Sequence, residues 1–212
     1  MKLYVFPIAP NPTKVRLYLA EKAAAGRPIP LEQVTVSLIE GEHRQAAHRA
    51  RNPFATLPVL ETDGGRFVIE SLPIIDYLEE LHPEPSMFGP DPDARVFARQ
   101  LERVADIGVL IPIGRIVHAT NSPVGYPPNP AVADYYRERL PRSLDYLEDQ
   151  LADGRAWLAG DRVTVADCTL ASALQFGRFR KIEPVSEREY PRLADWDARY
   201  RGRAVAKAVL LV

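Results

Sequence analysis

Glu70 and Ser71 put a carboxylate and a hydroxyl side by side where a strand-like run meets a helix-like run. The first N–H groups of a helix attract an anion such as a carboxylate. A glutamate beside them accepts hydrogen bonds from an ammonium. Together the two residues match both charges of an α-amino acid end. The competing reading is a plain serine helix cap next to a solvated glutamate. Leu57-Pro58 opens another strand-like run, where proline is disfavoured because it lacks the ladder donor. A cis bond at a turn entering that strand would expose the Leu57 N–H and C=O to an extended ligand. The alternative is an edge-strand proline with no ligand. A third candidate is Asn11, in the loop Pro7-Ile8-Ala9-Pro10-Asn11-Pro12. Loops between a strand and a helix aim N–H groups past the strand end, and the Asn11 amide could donate to an anion there. Asn11 could equally cap the helix that follows.

These residues need elements to hold them. Leu3 to Phe6 is a short apolar run ended by Pro7, a strand. Thr13 to Ala25 carries Val15, Tyr18, Leu19 and Ala23 at helical spacing, with Gly26 as its stop. Gln33 to Leu38 alternates as a strand, and Gly41 to Ala50 reads as a short, irregular helix. Leu57 to Glu61 and Arg66 to Ile69 are β-runs joined by the hairpin signal Asp63-Gly64-Gly65. Ser71 then caps a helix with Pro73 in its first turn and an apolar face of Ile74, Ile75, Leu78 and Leu81. The order is β-α-β-α-β-β-α over residues 1–81. Four prolines make residues 82–92 a stiff linker. From residue 93 to 212 the strand signals largely give way to helices. Asp93 to Thr120 is long, with a kink expected at Pro112. Ala131 to Ala152 should bend or split at Pro141. Thr164 to Phe176, Arg192 to Tyr200 and Ala204 to Leu211 complete an all-α domain.

Composition narrows the function. The 212 residues include one cysteine, Cys168, which excludes an internal disulfide framework, a Cys-x-x-Cys pair and a cysteine-built zinc site. Twenty-seven basic residues against 28 acidic ones, and a pI near 6.4, argue against a nucleic-acid binder. The longest uncharged stretch, Ile116 to Ala133, is broken by four prolines, so no membrane span is expected. The first residues show no long apolar signal region. A cytoplasmic protein is the expectation, with no metal site.

The chain resembles the bacterial cytosolic glutathione S-transferases. The resemblance rests on Ala9-Pro10-Asn11-Pro12-Thr13-Lys14-Val15-Arg16 with Leu19-Ala20-Glu21-Lys22, on Gly41-Glu42-His43-Arg44, and on Asn52-Pro53-Phe54-Ala55-Thr56-Leu57-Pro58-Val59-Leu60. It continues through Glu70-Ser71 and Asp76-Tyr77-Leu78-Glu79, and through Leu158-Ala159-Gly160-Asp161 and Val163-Thr164-Val165-Ala166-Asp167. It implies a thioredoxin-like domain that binds glutathione, followed by a helical domain that shapes a second-substrate pocket. It implies that Leu57, before cis-Pro58, pairs by backbone with the cysteinyl part of glutathione, and that Glu70 and Ser71 hold its γ-glutamyl end. His43 matches a position that in some classes helps bind the glycyl carboxylate; an exposed histidine at a helix start is the plain alternative. Thr164 and Asp167 form a capping box, a folding feature. Glutathione would be a cosubstrate, with no bound cofactor, and the assembly a homodimer with a detoxifying role.

One departure matters. The family activates the thiol with Ser, Cys or Tyr near the end of the first strand, and the matching Ser/Cys position here is Ala9. Tyr4 is one residue out of register with the family's tyrosine, which puts it on the other strand face. Cys168 lies in the wrong domain. Asn11, Thr13 and the backbone N–H groups of the helix start remain. A free thiol has a pKa of about 8.5, and lowering it by about two units takes roughly 2.7 kcal/mol. A helix N-terminus supplies up to about 2 kcal/mol, and one hydrogen bond to an anion about 1.5–3 kcal/mol. Asn11 is therefore assigned to the thiolate. The expected reaction is attack of bound glutathione on a small, apolar electrophile. Glutathione-dependent reduction of disulfides or peroxides and a non-catalytic glutathione-binding protein are the alternatives. The second pocket is expected between the Pro7 to Asn11 loop and the Asp93 to Thr120 helix, with Ile107, Ile111 and Arg115 as linings and Tyr126 in a covering loop.

Overall fold

The computed structural model describes residues 1–211; Val212, the last residue of the expected all-α domain, lies outside the described residues. The chain divides into two compact units, Met1–Ser86 and one that begins at Met87.

The first unit is built on a four-stranded mixed sheet in the order β2-β1-β3-β4. Strand β1 (Lys2–Val5) pairs in parallel with β2 (Glu32–Thr35) and antiparallel with β3 (Val59–Glu61), which pairs antiparallel with β4 (Phe67–Ile69). Alternation sends Leu3 and Leu60 to one face and Tyr4 and Val59 to the other. On the second face, Tyr4 and Val59 pack with Val36 and Leu57. The β3–β4 hairpin closes at Gly65, whose φ of 75° suits glycine.

Helix α1 (Pro10–Ala24) starts three residues earlier than the periodicity predicts. Pro10 and Pro12 fit its first turn because an N–H there has no helical acceptor anyway. The irregular segment resolves into a 3₁₀ turn (Glu42–Arg44) and a single helical turn α2 (Ala46–Arg49). Helix α3 (Ser71–Leu81) buries Ile74, Ile75 and Leu78 completely, whereas Leu81 is half exposed and leaves the predicted apolar face. Ser71 is the first residue of α3 and not its cap, which is Glu70.

One buried side chain, Lys22, holds the end of this unit. The Lys22 ammonium, fully buried, pairs with Glu79 at 2.9 Å and donates to the carbonyls of His82 and Pro85 at 2.6 and 2.8 Å. From Met87 onward the chain belongs to the helical unit, where the Met87 carbonyl accepts from Val165 N–H.

In the helical unit, the predicted long helix is two helices. Helices α4 (Pro92–Ala105) and α5 (Ile111–Thr120) are separated by a π-helical turn, Asp106–Leu110. The break thus precedes Pro112, which cannot donate to the carbonyl of Gly108. Gly108 also admits helix α6 (Pro130–Gln150): a Cβ at Gly108 would lie 2.2 Å from Ser143 Oγ. Pro141 does not split α6; it only leaves the Arg137 carbonyl without its helical donor. Helix α7 (Val165–Phe179) is buried over most of its length, and α8 (Pro191–Gly202) and α9 (Ala204–Val209) follow. No helix among the described residues is long and apolar enough to cross a membrane, and no group of three His, Cys, Asp or Glu residues there is placed to hold a metal ion.

The capping box at Thr164 is present, and Asp167 does more than close it. Its buried carboxylate accepts from the N–H of Thr164 at 2.8 Å, of Leu158 at 3.0 Å and of the Trp196 indole at 2.8 Å. Burial pushes this carboxyl above its ordinary range, against these donors, which favour the ionised form. Asp167→Ala leaves three buried donors unsatisfied and should cost about 3–5 kcal/mol of unfolding free energy in urea. Asp167→Asn keeps an oxygen acceptor and should cost less than half as much. A loss below about 1 kcal/mol for the alanine variant would contradict this role.

Candidate functional site

Within the first unit, a cleft of about 100 Å³ is lined by Asn11, Thr56, Leu57, Pro58, Glu70 and Ser71. Residues far apart in sequence meet there because the first turns of α1 and α3 and the start of β3 converge. All the site residues expected from the sequence line it except His43.

One hydrogen bond reassigns two of them. The Ser71 hydroxyl donates to Asn11 Oδ1 at 3.1 Å, across 60 residues of sequence. Neither side chain caps its helix: α1 is capped at Ala9 and α3 at Glu70, both without a side-chain cap bond. The bond fixes the Asn11 carboxamide with its oxygen occupied. Its NH₂ group is left as a donor.

The backbone of α1 offers little beside it. Pro10 and Pro12 have no N–H, and Thr13 N–H already bonds the Ala9 carbonyl at 3.0 Å. The N–H of Asn11 is therefore the one backbone donor of the first turn still unspent. Thr13 is excluded as well, since its buried hydroxyl donates to the Pro7 carbonyl at 2.9 Å. Tyr4 donates to Glu61 at 2.7 Å, and burial together with Glu61 raises its phenol pKa further, so it is no thiolate donor. Cys168 is buried in α7 of the other unit.

On the strand side, the Leu57-Pro58 bond is cis. The β1–β3 ladder begins at Val59 opposite Tyr4, so the Leu57 N–H and C=O lie beyond it. The loop that presents them is tied down by two residues that sequence reasoning passed over. Buried Asn52 donates to the carbonyl and the hydroxyl of Thr56, at 3.0 and 2.8 Å, and accepts from Phe54 N–H at 3.0 Å. His48 Nε2 meets the same Thr56 carbonyl at 3.0 Å. Asn52-Pro53 was the available signal, because an asparagine that bonds the backbone two residues on is a common turn device.

Glu70 is exposed and sits at φ 69°, ψ 131°, a conformation that non-glycine residues seldom adopt. Glu70 lines the cleft and immediately precedes the first N–H groups of α3. There Pro73 has no N–H and Ile74 N–H bonds Glu70 O at 3.1 Å, which leaves Ser71 and Leu72 as donors. An acceptor thus stands next to a pair of donors, the complement of an ammonium and a carboxylate on one carbon. His43 is buried, at 7 % exposure, and is not the exposed histidine of the plain reading. Burial lowers its pKa, and its Nδ1 has no partner.

The family model described as the glutathione S-transferase N-terminal domain matches residues 3–86, and the C-terminal domain model of the same family matches 112–204. Maleylacetoacetate isomerase of Pseudomonas aeruginosa is 31 % identical over 187 residues, which covers 82 % of this chain and 80 % of that protein. Glutathione S-transferase 2 of Saccharomyces cerevisiae is 28 % identical over 218 residues, covering 99 % and 89 %. A solved glutathione S-transferase of Methylobacillus flagellatus, with GSH bound, superposes with a TM-score of 0.83 at 26 % identity, covering 100 % of this chain and 99 % of that one. The thioredoxin-like sheet, the helical unit behind it in sequence, the two domain models and these relatives agree: the chain belongs to the glutathione S-transferase family of enzymes.

Proposed function

We propose that the protein is a glutathione transferase in which the Asn11 carboxamide, oriented by Ser71, donates to the glutathione thiolate. The Asn11–Ser71 bond carries this reading, because it turns an asparagine into a fixed donor where the chain has alanine at the usual position. Glu70 takes the γ-glutamyl ammonium and the Ser71 and Leu72 N–H groups its carboxylate. The Leu57 backbone pairs with the cysteinyl part, next to Pro58. The resemblance, not the cleft geometry, assigns His43 to the glycyl carboxylate. Glutathione is then a cosubstrate that brings the reacting sulfur, and no resident cofactor is required. The thiolate attacks a small electrophile. Family membership further supports a cytoplasmic homodimer with a detoxifying role.

The Pseudomonas relative supports a second reading from its name, an isomerase. The same thiolate would add to a carbon–carbon double bond and leave again after rotation, so glutathione is regenerated.

Retention on immobilised glutathione followed by conjugation and isomerisation assays separates the possibilities. The proposal expects retention with turnover of at least one electrophile. Retention without any turnover indicates a binding protein, and failure to be retained contradicts glutathione binding altogether.

Asn11→Ala should lower kcat by about 10- to 100-fold, the loss of one hydrogen bond to an anion, with a smaller change in glutathione KM. Ser71 acts on the thiolate through Asn11, so Asn11→Ala and Ser71→Ala should be non-additive by about 0.5 kcal/mol or more in a double-mutant cycle on kcat. Strict additivity would break the proposed link.

A further inference from the structure

The ring of His48 makes a single polar contact. It sits on α2 and is buried, at 2 % exposure. Nε2 meets the Thr56 carbonyl at 3.0 Å, the ring's only hydrogen bond among the described residues. A carbonyl oxygen only accepts, so this nitrogen carries a proton and donates it. The other ring nitrogen, Nδ1, is buried without a partner. An apolar side chain would fill the same space and strand no polar atom. What the imidazole adds is the bond to Thr56.

That carbonyl is held twice, because Asn52 Nδ2 also donates to it at 3.0 Å. The two holders are tied to each other: the Asn52 N–H donates to the His48 carbonyl at 2.9 Å. Directly before Thr56 stands Ala55 at φ 54°, in the left-handed region that non-glycine residues seldom take. Such a conformation persists where the surroundings over-determine it. Here the Ala55 N–H bonds the Asn52 carbonyl at 3.0 Å, and the two donors fix Thr56 behind it.

The consequence falls on Leu57. The Thr56 C=O and the Leu57 N–H belong to one peptide unit. It is trans, since among the described residues only Pro58 and Pro85 follow cis bonds. In a planar trans unit the N–H points opposite to the C=O. With the carbonyl turned onto His48 and Asn52, the Leu57 N–H points away from both. Thr56 and Leu57 line the cleft, and His48 and Asn52 do not. Leu57 is buried, yet its N–H has no partner among the described residues. A buried backbone N–H with no acceptor is rare. Two hydrogen bonds to a carbonyl also polarise its peptide, which makes the N–H at the other end a stronger donor.

We propose that His48 is a positioning residue for glutathione: through the Thr56 carbonyl it aims and strengthens the Leu57 N–H that meets the cysteinyl part. The proposal rests on the glutathione reading and adds to it a residue outside the cleft that sets affinity.

Calorimetric titration of the full chain with glutathione, in the wild type, His48→Leu and His48→Gln, tests it. His48→Leu keeps the packing without the donor and should weaken binding about 5- to 10-fold, the worth of one hydrogen bond. His48→Gln carries an NH₂ group at the reach of Nε2 and should bind within about threefold of the wild type. In the ligand-free chain, the Leu57 amide proton should move upfield in His48→Leu and return in His48→Gln by NMR. A merely structural role would lower the melting temperature of the leucine variant and leave its affinity unchanged. A loss below about threefold in His48→Leu, or a glutamine variant as weak as the leucine one, would overturn the proposal and leave the glutathione reading standing. A wild-type chain that binds no glutathione would overturn both. If His48→Leu does not fold, His48→Gln decides, and a loss above about threefold there overturns the proposal.

Discussion

Everything at the cleft depends on how α1 is held against α3. The two helices are joined twice along one shared seam. At their first turns, Ser71 donates to Asn11. Two turns further on, fully buried Tyr18 and Lys22 both reach Glu79, at 2.8 and 2.9 Å. Positions 11, 18 and 22 fall on one side of a helix of 3.6 residues per turn. The lower join is the costly one to break, because loss of one partner strands a buried charge, at about 3–5 kcal/mol. The upper join is weaker but chemically useful. A well-anchored helix pair lets a single neutral hydrogen bond fix the Asn11 carboxamide, the donor proposed for the thiolate.

The same segment offers few backbone donors, which is why the proposed donor is a side chain. A helix start usually presents several N–H groups to an anion. In α1, prolines at positions 10 and 12 remove two of them, and Thr13 spends its own on Ala9. The prolines shape the loop and begin the helix cleanly, yet they leave the Asn11 N–H as the turn's one unspent backbone donor. At α3 the balance differs. Two N–H groups survive beside Glu70, which lines the same cleft at an unusual backbone conformation. One end of the cleft thus suits a zwitterionic amino acid end, and the other suits a single soft anion.

Much of this was legible in the sequence because it is local. The β-α-β-α-β-β-α order follows from periodicity and from turn residues such as Asp63-Gly64-Gly65, and the capping box at Thr164 and Asp167 from spacing alone. Glu70, Ser71, Leu57, Pro58 and Asn11, which line one cleft, stand out in the sequence because each is at an element boundary. What stayed hidden is non-local. Ser71 was read as a cap, and only the packing of α1 on α3 reveals that its proton goes to Asn11. Asn52 and His48 act through the carbonyl of Thr56, a contact with no periodic signature. The π-helical turn before Pro112 includes Gly108, where Ser143 of α6 approaches closely, a tertiary contact with no local signature.

The central claim is that this cleft holds glutathione as its thiolate without a hydroxyl or thiol from the protein. Ultraviolet titration of bound glutathione, following thiolate absorbance against pH in the wild-type chain and in Asn11→Ala, tests it most directly. The account predicts a bound thiol pKa about two units below the free value of about 8.5, returning at least about one unit toward it in the variant. A bound thiol that titrates like free glutathione, or an equal depression in both proteins, would contradict it.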